Sequence, residues 1–105
     1  MADDALWFVI INCPSLEVAD TIGKGALTRG LAKAYNIPAE MKTAYVWKGE
    51  IVDNREWQLV FKIAAKDRKA LFAFAKAEHP FEVPSILAWP VPDGDPDYQR
   101  YIVGE

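Results

Sequence analysis

The sequence predicts an α+β fold, in which two helices cover one face of a four-stranded antiparallel sheet. Strand-like stretches rich in apolar and β-branched residues occur at 5–13, 41–47, 56–64 and 85–89. Two stretches with apolar residues at helical spacing separate the first strand from the second and the third from the fourth. With 105 residues, the chain is expected to form one domain over 1–105.

The first strand and first helix are indicated by a change of pattern. Residues 5–13 are apolar without alternation, which is typical of a central strand covered on both faces. Ser15 is then a favourable helix N-cap. Over 16–34, apolar residues recur at steps of three and four, which predicts an amphipathic helix of about five turns. Gly23 and Gly30 fall on its apolar face, where small residues permit close packing on the sheet.

The second and third strands are predicted to pair as a long hairpin. Residues 41–47 form one arm and 56–64 the other, and 48–54 connect them with Gly49 at the tip. In the second arm, apolar side chains at alternate positions share one face and polar side chains share the other.

The second half of the chain is predicted to contain a helix, a short strand and a short C-terminal helix. The helix over 66–78 ends at His79, because a residue before proline is disfavoured in helical conformation. The strand at 85–89 is closed by prolines, and 97–103 forms the last helix. The order is therefore β-α-β-β-α-β with a C-terminal helix, a ferredoxin-like sandwich.

Composition narrows the range of functions. The net charge of −3 argues against nucleic-acid binding, which relies on lysine and arginine at phosphates. Cys13 is the single cysteine, so no intramolecular disulfide is possible, and a lone thiol fits a reducing compartment. The apolar run Ala5–Ile11 follows Asp3 and Asp4 and is too short for a membrane span. We therefore expect a cytoplasmic protein that binds neither membranes nor nucleic acid.

Several short motifs recur in a fixed order along nearly the whole chain. They are Cys13-Pro14-Ser15, Asn36-Ile37-Pro38, Tyr45-x-Trp47-x-Gly49, His79-Pro80-Phe81-Glu82-Val83-Pro84 and Asp97-Tyr98. In these motifs and their spacing, the sequence resembles the CutA divalent-cation-tolerance proteins. The resemblance implies a PII-like homotrimer with a role in tolerance of, or response to, divalent metal ions.

The sequence also departs from the family pattern. Ala34 stands where most relatives have a cysteine, Phe81 replaces the usual tyrosine, and Ser85 replaces the usual glutamate. One residue is inserted between Pro38 and Tyr45, which predicts a bulge in the second strand.

The resemblance further implies a ligand-binding cleft between subunits. Its donors, acceptors, ammonium group and aromatic walls suit a small ligand. The alternative is an interface network in which Glu56 or Glu82 neutralises Lys62, and the two interpretations stay open together. The residues that match the cleft are Tyr45, Trp47, Glu56, Lys62, His79, Glu82 and Tyr98.

A metal site is the second candidate. Some relatives have been credited with copper binding, and soft thiolate and imidazole ligands suit copper. The chain offers Cys13, His79 and carboxylates such as Glu78. In the alternative interpretation, Cys13 is a small buried apolar residue. His79 is then a helix-ending residue whose ring forms a hydrogen bond with a backbone carbonyl. A tight site within one subunit is not expected, whereas a weak or shared one remains open.

The remaining interpretations concern catalysis and assembly. Gly23-Lys24-Gly25 lies inside a predicted helix, so it is not a phosphate loop. Cys13 and His79 can be written as a dyad, but no neighbouring base lowers the thiol pKa, so we do not expect an enzyme. The hairpin leaves edge strands and aromatics unpaired, and a ring of three subunits would pair them. Alternatives are a ligand-free scaffolding trimer, a PII-like signalling module that contacts a partner protein, and a small hydrolase.

Overall fold

The computed structural model describes residues 6–104, so residue 5 of the predicted first strand lies outside it, as do residues 1–4 and 105. The strands form one antiparallel sheet in the order β2-β3-β1-β4, which confirms the ferredoxin-like α+β prediction. The elements of the described range are β1 (Leu6–Cys13), α1 (Leu16–Thr28), β2 (Ala34–Trp47), β3 (Glu50–Ala64), α2 (Arg68–Glu78), β4 (Ile86–Pro90) and α3 (Pro96–Val103).

The core lies between the sheet and helices α1 and α2. Alternate residues of β1 and β3 point towards the helices and are fully buried. Each such Leu, Ile or Phe contributes about 1.5–3 kcal/mol through burial. The main core residues are Val9, Ile11, Leu59, Phe61 and Ile63 from the sheet, Ile22 and Ala26 from α1, and Leu71 and Ala75 from α2.

The opposite face of the sheet, here called the open sheet face, is only partly covered. Phe8 pairs with Trp89, and Ile10 lies between Val60 and Leu87. Leu87 is 66% exposed and Trp89 is 43% exposed. Helix α3 packs against β1 and β3, and its Tyr98 ring lies 5.8 Å from Lys62 Nζ. The prediction that the first strand is covered on both faces is therefore wrong for a single chain.

Helix α1 begins as predicted but ends earlier. Ser15 Oγ accepts a hydrogen bond of 3.0 Å from the Val18 N–H, which caps the first turn. The helix ends at Thr28 rather than at residue 34, because Gly30 adopts a left-handed φ of 72°. Leu31 N–H then bonds the Ala26 carbonyl, which closes a Schellman motif.

The two predicted helix glycines have different roles. A Cβ on Gly23 would lie 2.7 Å from the Tyr35 ring, so this glycine does permit α1 to pack closely on β2. Gly30 lies in the turn after α1, where added atoms would meet open space. The prediction was correct for Gly23 and wrong for Gly30, because apolar spacing continues past the end of the helix.

The hairpin arms are longer than predicted and the turn is shorter. β2 starts at Ala34 and β3 at Glu50, so only Lys48 and Gly49 connect them, with φ values of 51° and 81°. Such a two-residue turn with positive φ at both positions matches strand twist. Charge at 50–54 favours a connecting loop in the sequence. This stretch extends β3 instead, because it pairs with β2 through contacts such as Lys42–Asp53 at 3.8 Å.

The predicted bulge is close to where the structure has an irregularity. The β2–β3 register shifts by one residue between Asn36 and Ala39, on either side of Pro38. Proline has no N–H for the ladder, so the extra residue falls where a hydrogen bond would be lost in any case. The irregularity therefore lies at Pro38 itself rather than between it and Tyr45.

The second half agrees with the prediction within one or two residues. A 3₁₀ turn over Ala65–Asp67 leads into α2, and His79 follows α2 in an extended conformation. Asp95 caps α3 by accepting a 3.0 Å bond from the Tyr98 N–H. Helix α3 begins at Pro96, one residue before the predicted start.

Candidate functional site

The seven predicted cleft residues fall into two groups at opposite ends of the open sheet face. The first group surrounds two adjoining cavities of about 200 and 260 Å³, here called the carboxylate cleft. Tyr45, Trp47, Glu56 and Glu82 line it, and His79 lies beneath it. The second group consists of Lys62 and Tyr98, here called the lysine end.

The carboxylate cleft is formed by four parts of the chain. The end of β1, the hairpin arms and the loop 79–85 each contribute side chains to its walls. The Tyr45 hydroxyl accepts a 2.8 Å hydrogen bond from Asn54 Nδ2, which connects the two arms across the hairpin. The full lining consists of Asn12, Thr43, Tyr45, Trp47, Glu56, Pro80, Phe81, Glu82, Val83 and Ser85.

Glu56 is the most unusual residue of the cleft. The residue is 3% exposed and its carboxylate opens onto the cleft, where it forms no hydrogen bond or ion pair among residues 6–104. Glu82 adds a second carboxylate, and no lysine or arginine of the described chain lines the cleft. Buried charges normally occur with a partner, because removing them from water is costly. The cleft of one chain therefore carries negative charge without a matching positive group in the described range.

His79 bonds the backbone through both ring nitrogens. Nε2 lies 2.8 Å from the Asn12 carbonyl oxygen, and Phe81 N–H donates to Nδ1 at 3.1 Å. The tautomer that carries its proton on Nε2 satisfies both contacts. The ring also meets Phe81 edge-on, with 5.0 Å between centroids. His79 thereby positions the loop that carries Phe81 and Glu82 against the end of β1.

The predicted metal ligands do not come together in one chain. Burial raises the pKa of the Cys13 thiol to about 12, and the negative charge of nearby Glu56 contributes to the rise. A thiol ligates metal or attacks substrate as the thiolate, which this environment disfavours. His79 has both ring nitrogens engaged by the backbone, and Glu78 is exposed at the end of α2.

A wider search for metal ligands gives the same result. Among residues 6–104, no group of three or more His, Cys, Asp or Glu side chains is placed to hold a metal ion. The donors proposed for copper therefore do not fit a copper centre within one subunit. A role for them in a shared site stays a prediction.

The lysine end is separated from the carboxylate cleft within the chain. Lys62 lies six residues after Glu56 on the same face of β3, which is a separation of about 20 Å. Its Nζ donates to Asn36 Oδ1 at 2.9 Å and lies over the Tyr98 ring. One subunit therefore does not bring Lys62 to Glu56, Glu82 or His79.

Several lining residues were not predicted as cleft residues. Asn12 fixes the loop twice, because its carbonyl accepts from His79 and its N–H donates to the Ser85 carbonyl at 3.3 Å. Asn12 is the polar residue within an otherwise apolar strand, and this departure from the pattern could have indicated that it lines a cleft. Phe81 and Ser85 depart from the family pattern, and both line the cleft.

The sequence and fold match known proteins over most of their length. A family model, described as "CutA1 divalent ion tolerance protein", matches residues 7–105. A divalent-cation tolerance protein CutA from Thermus thermophilus is 38% identical over 94 residues, covering 90% of this chain and 91% of the relative. A solved Cut A1 structure from that organism has a TM-score of 0.89 at 35% identity, covering 93% of this chain and 95% of the other.

Two further relatives add context. A protein CutA homolog from Danio rerio is 33% identical over 94 residues, which cover 90% of this chain but only 63% of the relative. A solved structure from Archaeoglobus fulgidus, described as a periplasmic divalent cation tolerance protein CutA, has a TM-score of 0.89 at 30% identity, covering 92% and 94% of the two chains. In the described range, no helix is both long and apolar enough to cross a bilayer. The extent of the family match shows that this chain belongs to the CutA1 divalent ion tolerance family.

Proposed function

We propose that this protein is a non-enzymatic homotrimer that acts in divalent-cation tolerance by binding a metal ion or small ligand in clefts between its subunits. The observation that supports the proposal most strongly is Glu56, a buried carboxylate without a partner among residues 6–104 of its own chain. A cleft with two carboxylates and no lysine or arginine from the described residues would favour positive charge supplied by a neighbour or a ligand.

The open sheet face supports an oligomer. Phe8, Ile10, Leu87 and Trp89 form a contiguous apolar surface on one side of the sheet. Monomers rarely expose such a surface. The sheet of the described range also ends in two unpaired edges, β2 and β4, which soluble proteins usually block or pair. Three copies that each extend the neighbouring sheet would pair both edges and bury the apolar face.

The separation of the two residue groups fits contacts between copies, because one chain does not bring them together. In a ring, contacts are heterologous, so one end of a surface meets the opposite end of the same surface on the next copy. The carboxylate cleft of one chain would then receive Lys62 and Tyr98 from its neighbour. In the ligand-free trimer, the neighbouring ammonium group neutralises Glu56 or Glu82. A bound cation or small cationic ligand would compete with Lys62 for the same carboxylates.

The oligomeric state provides the first test. Size-exclusion chromatography with light scattering at micromolar concentration is expected to report three chains. A monomer at that concentration would contradict the proposal.

The second test is ligand binding: the purified trimer is titrated by calorimetry with Cu²⁺, Zn²⁺ and a panel of nucleotides. Glu56→Gln is expected to abolish the heat of the ligand that binds, while Glu17→Gln on exposed α1 leaves it unchanged.

A ligand-free scaffolding trimer, or a PII-like module that signals through a partner protein, is the second candidate. This alternative would hold if Lys62 of a neighbouring copy occupied the carboxylate cleft permanently and left no space for a ligand. A stable trimer that gives no heat with any metal or nucleotide would support this alternative. The hydrolase alternative lacks support, because the Cys13 thiol is held in its protonated form.

A cytoplasmic location is part of the proposal and rests on the single thiol. Fractionation of the native source into cytoplasmic and periplasmic or secreted protein tests it directly. Recovery outside the cytoplasm would contradict it and would agree instead with the periplasmic description of the Archaeoglobus fulgidus relative.

A further inference from the structure

A second concave surface lies on the helix side of the sheet, between α2 and β4. This α2–β4 groove has a volume of about 290 Å³, and a smaller cavity of about 220 Å³ continues it along α2 past Phe72 to Lys76. Three of its lining residues belong to β4, whose edge the proposed trimer would pair, but that pairing does not explain the donors on α2. Its lining consists of Trp7, Arg68, Lys69, Phe72, Ile86, Leu87 and Ala88.

The polar groups of the groove are donors. The Arg68 guanidinium lies 4.2 Å from the centre of the Trp7 ring, and its Nε donates to the Ala65 carbonyl at 3.0 Å. Stacking on the indole holds the guanidinium plane in place. Neither Arg68 nor Lys69 forms an ion pair within residues 6–104. No acidic side chain of that range lines the groove.

Trp7 supports the groove from one wall. Its Nε1 is fully buried and has no acceptor in the described part of the chain. Buried indole N–H groups usually find an acceptor, because an unsatisfied donor is costly. The same side chain forms one wall of the groove and supports Arg68. The indole therefore supports the guanidinium from the groove wall, while its own N–H lies sealed behind that wall.

We infer that the α2–β4 groove binds a small organic anion, a carboxylate carried on a flat apolar body. A guanidinium matches the two oxygens of a carboxylate, and Lys69 adds positive charge at the rim. Most of the walls are apolar, so an inorganic anion would leave them unfilled. The volume is near the lower limit for ligand pockets, which restricts the ligand to about the size of one or two fused rings.

A pair of matched probes tests the inference. The trimer or monomer, as purified, is titrated by calorimetry with 2-naphthoate, with its neutral analogue 2-naphthamide and with inorganic phosphate. We expect saturable binding of 2-naphthoate and binding at least about tenfold weaker for 2-naphthamide, because charge-assisted hydrogen bonds are lost. No saturation by 2-naphthoate, or equal binding of the amide or phosphate, would overturn the inference.

Variants locate the site. Arg68→Gln is expected to weaken 2-naphthoate binding at least about tenfold, and Trp7→Leu, which removes the ring on which Arg68 stacks, by about threefold. Arg29→Gln is the matched control, since Arg29 also stacks on a ring, Phe74, at 4.4 Å but lies outside the groove. Urea unfolding confirms that each variant is folded. If Arg68→Gln binds 2-naphthoate as tightly as Arg29→Gln does, the ligand lies elsewhere and the inference fails.

Discussion

His79 and Cys13 illustrate how residues with metal-binding chemistry can be committed to the fold. Both ring nitrogens of His79 bond the backbone, one at the end of β1 and one at Phe81. Cys13 is fully buried next to Glu56 and packs as a small apolar side chain. The sequence leaves both alternatives open for each residue, and the surroundings of one chain favour the structural one.

The two hydrogen bonds of His79 lead to a stability prediction. His79→Ala should lower the free energy of unfolding by about 2–3 kcal/mol, because two bonds and the loop packing are lost. Urea denaturation measures the change. Glu78→Ala, at the exposed neighbouring position, is the control and should change stability by less than about 0.5 kcal/mol. An equally small loss for His79→Ala would mean that its contacts are dispensable.

The raised pKa of Cys13, about 12, predicts that its thiol reacts slowly. At pH 8 only about one thiol in ten thousand is ionised, so reaction with a disulfide reagent should be far slower in the folded protein than in urea. The colour released by the reagent measures the rate. Equal rates in both states would contradict the burial described for Cys13.

The same pKa predicts alkaline sensitivity. A folded-state pKa near 12 against an ordinary 9.0 means that the folded state holds the proton more tightly. The corresponding stability is complete below pH 9 and is lost as the pH rises towards 12. Cys13→Ala should therefore lose less stability than the parent protein over this window, measured by urea midpoints at each pH. Burial and Asp20 raise the pKa of Tyr35 to about 12, so both proteins retain the part of the effect due to Tyr35.

At the scale of elements, two glycines show how α1 is joined to β2. Gly23 allows Tyr35 to pack against the helix, and Tyr35 donates a hydrogen bond to Asp20. Gly30 closes the helix in a left-handed conformation that only glycine adopts without strain. Gly23 is needed because a side chain would lack space, whereas Gly30 is needed because of its backbone conformation.

These two causes predict different costs for the same substitution. Gly30→Ala should destabilise by about 1 kcal/mol, the usual cost of a left-handed alanine. Gly23→Ala should cost about 1–3 kcal/mol, because the new methyl overlaps the Tyr35 ring at 2.7 Å. Combining Gly23→Ala with Tyr35→Ala removes that overlap and should give less than the sum of the single losses. Additive losses in thermal or urea unfolding would show that the overlap is not the cause.

The order of the elements was predictable from sequence, while several boundaries were not. Apolar spacing continues from α1 into the following turn, so it does not reveal the left-handed exit at Gly30. Charged residues at 50–54 suggest a loop, although cross-strand pairing such as Lys42–Asp53 makes them part of a strand. Local pattern indicates which face of a segment is apolar, but a turn conformation or a cross-strand partner determines where that segment ends.

For the candidate site, resemblance identified residues that pattern alone would not have selected. Of these residues, Tyr45, Trp47 and Glu82 line one cavity of the structure, and Glu56 lines the adjoining one. The six-residue step along β3 from Glu56 to Lys62 already implies about 20 Å within one chain, and the sequence does not show whether a second copy closes that distance. The contact between Asn12 and His79 joins residues 67 positions apart in the chain, which local pattern does not reveal.

At the scale of the whole molecule, the proposed ring predicts coupling between distant positions. Glu56 and Lys62 are too far apart to interact within a chain, so their effects on stability should add unless a neighbour brings them together. A double-mutant cycle with Glu56→Gln and Lys62→Met should give a coupling of about 0.5–3 kcal/mol in the trimer. Urea unfolding at fixed trimer concentration measures it. A cycle with Glu56→Gln and Lys66→Met, outside the cleft, is the control, and coupling near zero in both cycles would exclude the shared pair.

The irregularity at Pro38 has a consequence for how copies associate. β2 is an edge strand of 14 residues, and an exposed edge of that length can promote open-ended pairing of chains. The register shift beside Pro38 divides β2 into a short part, 34–36, and a longer part, 39–47. A fibril needs one straight, continuous ladder, and the shift at Pro38 shortens the ladder that this edge can offer. The β2 edge can therefore pair with a neighbouring copy over 39–47, while the shift at Pro38 limits the growth of a longer stacked sheet.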